Sequence, residues 1–123
     1  MILVDTSVWI EHFRSAGSIL TQLLSDGEVL GHPFVLGELA LGNLQQREVL
    51  LSDLRELPQA AVASDEEVLQ FVDHQVLFGR GIGYVDAHLL AAARLTAGSK
   101  LWTHDRRLRA VAAQLGLAAA LSH

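Results

Sequence analysis

Short unbroken apolar runs alternate along the chain with longer stretches whose apolar residues recur every three or four positions, a pattern that predicts strands interleaved with helices. Ile2-Leu3-Val4, the segments 28 to 31 and 59 to 62, and Lys100 to Thr103 read as strands, with a last short one at 117 to 119. Helices are predicted over 6 to 14, 17 to 25, 33 to 43, 45 to 56, Ser64 to Leu77, Val85 to Ala97 and 105 to 115. Ser64 with Glu67 three residues on is a capping-box signature, and Gly98 is placed to stop a helix. Strands that are apolar throughout are buried on both faces, as in a parallel sheet. The expected fold is therefore α/β, a three-layer α/β/α sandwich around a central, mainly parallel sheet of four or five short strands.

Four carboxylates interrupt this pattern. Asp5 ends the first apolar run, and Asp105 follows the strand Lys100-Leu101-Trp102-Thr103, so both sit where a strand turns into a helix. Glu38 shares a helical face with Phe34 and Leu41, and Asp86 shares one with Leu89, Leu90 and Ala93, faces otherwise suited to a core. In an open parallel sheet, ligands bind outside the carboxyl ends of the strands, where Asp5 and Asp105 emerge and which Glu38 and Asp86 can reach from neighbouring helices. Close carboxylates repel one another, and a hard divalent ion removes the conflict. Oxygen ligands without Cys or paired His select Mg²⁺ or Mn²⁺ over Zn²⁺. Each acid alone has a plainer reading: Asp5 and Asp105 as helix N-caps, Asp86 as a first-turn acid on the helix dipole, Glu38 as a solvent-facing residue.

Composition narrows the picture. A chain of 123 residues is expected to form one domain, 1–123, and no linker, repeat or low-complexity tract divides it. No apolar run is long enough to cross a bilayer, and the basic start of a signal peptide is absent, so the expected location is cytoplasmic. With no cysteine, disulfides, thiolate catalysis and Cys-based zinc sites are excluded. The net charge of −5 argues against a polyanionic partner, but most of that imbalance lies before residue 63. Arg80, Arg106 and Arg107 fall later, the last two directly after Asp105, where they are candidate contacts for phosphate or form an ordinary solvated helix face. The run Gly79-Arg80-Gly81-Ile82-Gly83 follows a helix rather than a strand and reads as a flexible connection, not a dinucleotide fingerprint. His88 and His104 are read as structural or surface residues, and Trp9 and Trp102 as core.

Taken in order, Leu3-Val4-Asp5-Thr6-Ser7-Val8, Glu38, Gly83-Tyr84-Val85-Asp86-Ala87-His88-Leu89-Leu90-Ala91-Ala92-Ala93 and Leu101-Trp102-Thr103-His104-Asp105-Arg106-Arg107-Leu108 resemble the four signature blocks of PIN-domain ribonucleases. More narrowly they resemble the VapC toxins of type II toxin-antitoxin modules, over essentially the whole chain. That resemblance implies a metal-dependent endoribonuclease leaving 5′-phosphate and 3′-hydroxyl ends. Asp5, Glu38, Asp86 and Asp105 would form its acidic site, with Asp5 and Asp86 the direct Mg²⁺ ligands and Thr6, Ser7 and Thr103 as supporting hydroxyls. It further implies an RNA substrate, a cognate antitoxin and a homodimer. Many relatives carry another acid or amide shortly after the last aspartate, where this chain has Arg106, Arg107 and Leu108. Two other classes fit less well: a haloacid-dehalogenase-like phosphatase needs an acid where Ser7 stands, and a receiver domain needs a strand-end phosphoacceptor where Asp53 lies in a helical pattern. A PIN-like fold without activity, serving as a binding module, is the remaining alternative.

Overall fold

The protein, described here from a computed structural model covering residues 1–15 and 17–121, is built on three parallel strands. Strand β1 (Ile2–Val4) is followed by helices α1 (Thr6–Arg14) and α2 (Ser18–Ser25), then by strand β2 (Val29–Leu30). Helices α3 (Pro33–Ala40), α4 (Arg47–Glu56), α5 (Asp65–Gln75) and α6 (Tyr84–Leu95) lead to strand β3 (Lys100–Trp102) and helix α7 (Arg106–Gln114). The strand order is β2-β1-β3, with Leu3 opposite both Leu30 and Leu101.

Successive strand residues point to opposite faces, and Leu3 and Val4 are both fully buried, so both faces of the sheet are covered. This is the expected α/β sandwich. The main core runs through it, with Leu20, Val29, Leu39, Leu89, Leu90, Leu101 and Leu108 almost without exposure, and a smaller cluster of Ala63, Val68, Ala87 and Ala91 lies beside it.

The sheet is smaller than predicted. The segments 59 to 62 and 117 to 119 each contribute a single parallel bridge, Gly31 to Gln59 and Leu101 to Ala118, rather than a strand. On the first side, Gly31 donates its N–H to the Pro58 carbonyl and Ala60 donates to Gly31, but the Ala61 N–H then turns to Thr96 Oγ1 at 2.9 Å. That bond leads the chain off the sheet edge after one pairing. The predicted capping box is present: Ser64 Oγ accepts from the Glu67 N–H while Glu67 Oε1 accepts from the Ser64 N–H. Among the described residues, no helix is long and apolar enough to cross a membrane.

Candidate metal centre at the carboxyl edge of the sheet

Asp5 leaves β1 with its N–H donated to the Trp102 carbonyl, so the ends of β1 and β3 are tied at the residue where the first acid emerges. Its side chain, 6% exposed, does not cap α1. Instead Oδ2 accepts two hydroxyl protons, from Ser7 Oγ and Thr103 Oγ1, each at 2.7 Å. Those hydroxyls accept in turn: Ser7 from the His104 N–H at 3.1 Å and Thr103 from the Asp105 N–H at 3.0 Å. A buried carboxylate is thereby hydrogen-bonded on one oxygen by groups themselves fixed by the loop after β3, the arrangement that lets a buried charge persist.

The other three acids are each anchored on one oxygen as well. Asp105 is the N-cap of α7, accepting the N–H groups of Arg107 and Leu108 on Oδ1 at 2.9 Å. Asp86, half-buried in the first turn of α6, accepts the Gly83 N–H on Oδ2 at 3.0 Å. Glu38 accepts the Thr6 hydroxyl on Oε1 at 2.6 Å. The face of α3 that carries Glu38 is not the core face expected from the sequence: the helix stops at Ala40, Leu41 beyond it is solvent-exposed, and Glu38 itself is exposed. Of the plainer readings, the N-cap role holds for Asp105 and not for Asp5.

These acids sense one another. The Asp86 carboxyl is held above its ordinary pKa, chiefly by burial and further by the charges of Asp5, Asp105 and Glu38, against the lowering effect of the Gly83 N–H. Like charges gathered around a half-buried acid constitute a demand for a cation. The second oxygen of each carboxylate accepts no hydrogen bond among the described residues. All available donors are oxygens, which suits a hard divalent ion. Among the described residues, no three acids or histidines stand close enough to enclose an ion as they are.

The candidate phosphate contacts are placed unequally. Arg80 Nη1 donates to Gln114 Oε1 at 2.8 Å and so points along α7 away from the acids. Arg107 lies across the backbone of Gly81, where a Cβ would meet its Nη1 at 2.7 Å, and the φ of +80° there independently requires glycine. Arg106 is exposed on the first turn of α7, next to Asp105. The glycine run is thus a fitted connection rather than a slack one, and its last member supplies the N–H that holds Asp86.

A second cluster occupies the same edge of the sheet, over β2 and the Gln59 bridge, and the sequence alone did not disclose it. Asp65 Oδ1 accepts the Tyr84 hydroxyl at 2.7 Å and faces His88 Nε2 at 3.1 Å. Phe34 packs on the His88 ring with centroids 4.5 Å apart, and His32 on Phe34 at 5.3 Å. His32 accepts the Phe34 N–H on Nδ1, capping α3, and burial first and His88 second lower its pKa to about 4. The i, i+4 pair Tyr84 and His88, and Asp65 directly after an N-cap, were the available signals.

Comparison with known proteins shows the family. The family model for the PIN domain matches residues 2–114. Two relatives named Ribonuclease VapC32, from Mycobacterium tuberculosis strains CDC 1551 / Oshkosh and ATCC 25618 / H37Rv, are each 52% identical over 120 residues, covering 98% of this chain and 97% of the relative. With a family model spanning both strand-end acids and relatives matched over nearly their whole length, the chain belongs to the PIN-domain family and, within it, to the VapC type.

Proposed function

We propose that this protein is a metal-dependent endoribonuclease, the toxin of a toxin-antitoxin module, with Asp5, Glu38, Asp86 and Asp105 as its acidic centre. The observation that carries this reading is the gathering of four carboxylates, each anchored on one oxygen and unengaged on the other, around an Asp86 whose charge is disfavoured by burial and by its neighbours. The PIN family and the ribonuclease name of the relatives support it. The cation is Mg²⁺, with Mn²⁺ able to substitute; when bound it supplies charge neutralisation at the scissile phosphate and a lowered pKa for an attacking water.

The chain's own residues do the rest. Ser7 and Thr103 hold Asp5 through Oδ2 and leave its second oxygen for the cation. Gly83 does the same for Asp86 through a backbone N–H, and Thr6 does so for Glu38. Glu38, the exposed acid on a separate helix, is the group best placed to orient the attacking water and accept its proton. Arg106 and Arg107 flank the centre and hold neighbouring phosphates of the strand, while Arg80 supports the loop through Gln114.

The cognate antitoxin is expected in a groove of about 630 Å³ lined by Ile10, Phe13, Leu39 and Leu44 together with Glu38. A segment lying there covers apolar surface and reaches the acids. We also expect a homodimer.

The decisive test incubates the protein with cellular RNA in Mg²⁺ or Mn²⁺ and sequences the new ends, beside EDTA and Asp86→Asn controls. Discrete cuts with 5′-phosphates that vanish in both controls are expected. RNA left intact by folded, metal-supplied protein would instead support the inactive binding module.

A further inference from the structure

Tyr84 is 48% exposed, yet its ring is not free to move. Its hydroxyl is tied to Asp65 at 2.7 Å, and its ring meets that of His88 edge to face, centroids 4.7 Å apart at 89°. His88, 1% exposed, is fixed by Asp65 on Nε2 and by Phe34 against its ring. A brace between α5 and α6 needs no exposed ring, since Val68, Ala87 and Ala91 with Phe71 and Val72 already pack that interface. What the cluster adds is a rigid aromatic surface open to solvent, two residues before Asp86 in the first turn of α6, on the opposite side of that helix, and on the same edge of the sheet as Asp5.

RNA bound for in-line cleavage presents unstacked bases on either side of the scissile phosphate, and proteins receive such bases on immobilised aromatic rings. A ring held in place before binding loses little entropy on contact. Asp65, whose side chain is 79% exposed, keeps one oxygen without a hydrogen bond among the described residues, able to accept from an amino group on a base edge. We propose that Tyr84, braced by Asp65 and His88, is the seat for one unpaired base of the RNA strand and so sets where the strand is cut. The proposal rests on the ribonuclease reading and adds a specificity residue to it.

Tyr84 is the only tyrosine of the chain, so ring-labelled tyrosine gives a single set of NMR signals. In EDTA, short single-stranded RNA is expected to move those signals upfield through the ring current of the stacked base, while duplex RNA leaves them in place. In Mg²⁺, Tyr84→Leu is expected to raise KM about tenfold with kcat little changed and to blur the cut sites. Tyr84→Phe keeps the ring but loses the Asp65 tether, so it should keep the cut sites with a KM between those of wild type and Tyr84→Leu, which separates stacking from bracing. RNA cleaved by wild type with unmoved tyrosine signals, and cut at the same sites with the same KM by Tyr84→Leu, would overturn the seat while leaving the nuclease intact. A wild type that neither binds nor cuts RNA would overturn both.

Discussion

Two clusters of titratable side chains share the carboxyl edge of one parallel sheet, and they resolve their electrostatics in opposite ways. Over β2, Asp65, Tyr84 and His88 answer one another: a carboxylate takes a hydroxyl and an imidazole N–H, and the Asp65 pKa is lowered by those two bonds. Over β1 and β3, the groups are all acids, every hydrogen bond falls on one oxygen of a pair, and the Asp86 pKa moves the other way. The first cluster balances its charges internally, although His88 Nδ1 and His32 Nε2 stay buried without a partner among the described residues. The second leaves its like charges uncompensated, which is the basis of the metal-centre proposal. Proximity of polar groups therefore does not by itself mark a candidate reactive site; an unresolved excess of one charge is the stronger sign.

The contrast breaks most visibly at Asp86. Asp86→Asn is expected to lower cleavage by about a thousandfold or more, the scale of lost metal-assisted charge stabilisation, measured as initial rate on a defined RNA. The same change should raise the melting temperature in EDTA, because a half-buried charge facing three like charges is removed. A variant that loses both activity and stability would contradict the electrostatic account.

His32 tests the first cluster through pH. Its pKa falls from 6.5 to about 4 on folding, so the folded protein refuses a proton that the unfolded chain accepts. Stability present above pH 6.5 should be lost as pH falls toward 4, by roughly 3 kcal/mol in full. His32→Asn keeps an N-cap acceptor for α3 and should flatten urea-midpoint curves over that range.

Smaller effects sharpen the comparison. Thr103→Val deletes the hydroxyl that Asp5 and the Asp105 N–H share, and should cost about 1–3 kcal/mol of stability together with a loss of activity. Arg107→Ala should weaken RNA binding and reduce the slope of log affinity against log salt by about one, read in a salt titration. Ser64→Ala, which removes the cap of α5 beside Asp65 but touches no acid of the centre, should cost about 1 kcal/mol in denaturation and leave kcat unchanged.

Much of this was legible in the chain. The apolar runs at Ile2-Leu3-Val4 and Lys100-Leu101-Trp102 located the central strands, because a segment buried on both faces has no polar alternation to confuse it. The capping box at Ser64 is local chemistry and was readable as such. The outer strands were overpredicted because an edge pairing depends on where the neighbouring backbone goes, and the Ala61 N–H went to Thr96, thirty-five residues away. The Asp65, Tyr84 and His88 cluster escaped for the same reason: its members meet only after α5 and α6 pack.

By itself, then, the sequence determined the residue types and their order: two acids at strand ends, two on helices, hydroxyls beside the first, and enough periodic hydrocarbon to fix an α/β sandwich. Only the tertiary structure decided which oxygen of each acid is engaged, that Asp5 is held by Thr103 from ninety-eight residues away, and that Glu38 faces solvent rather than core. Those outcomes depend on short-range hydrogen bonds between distant segments, which exist only once burial has brought β1 and β3 side by side.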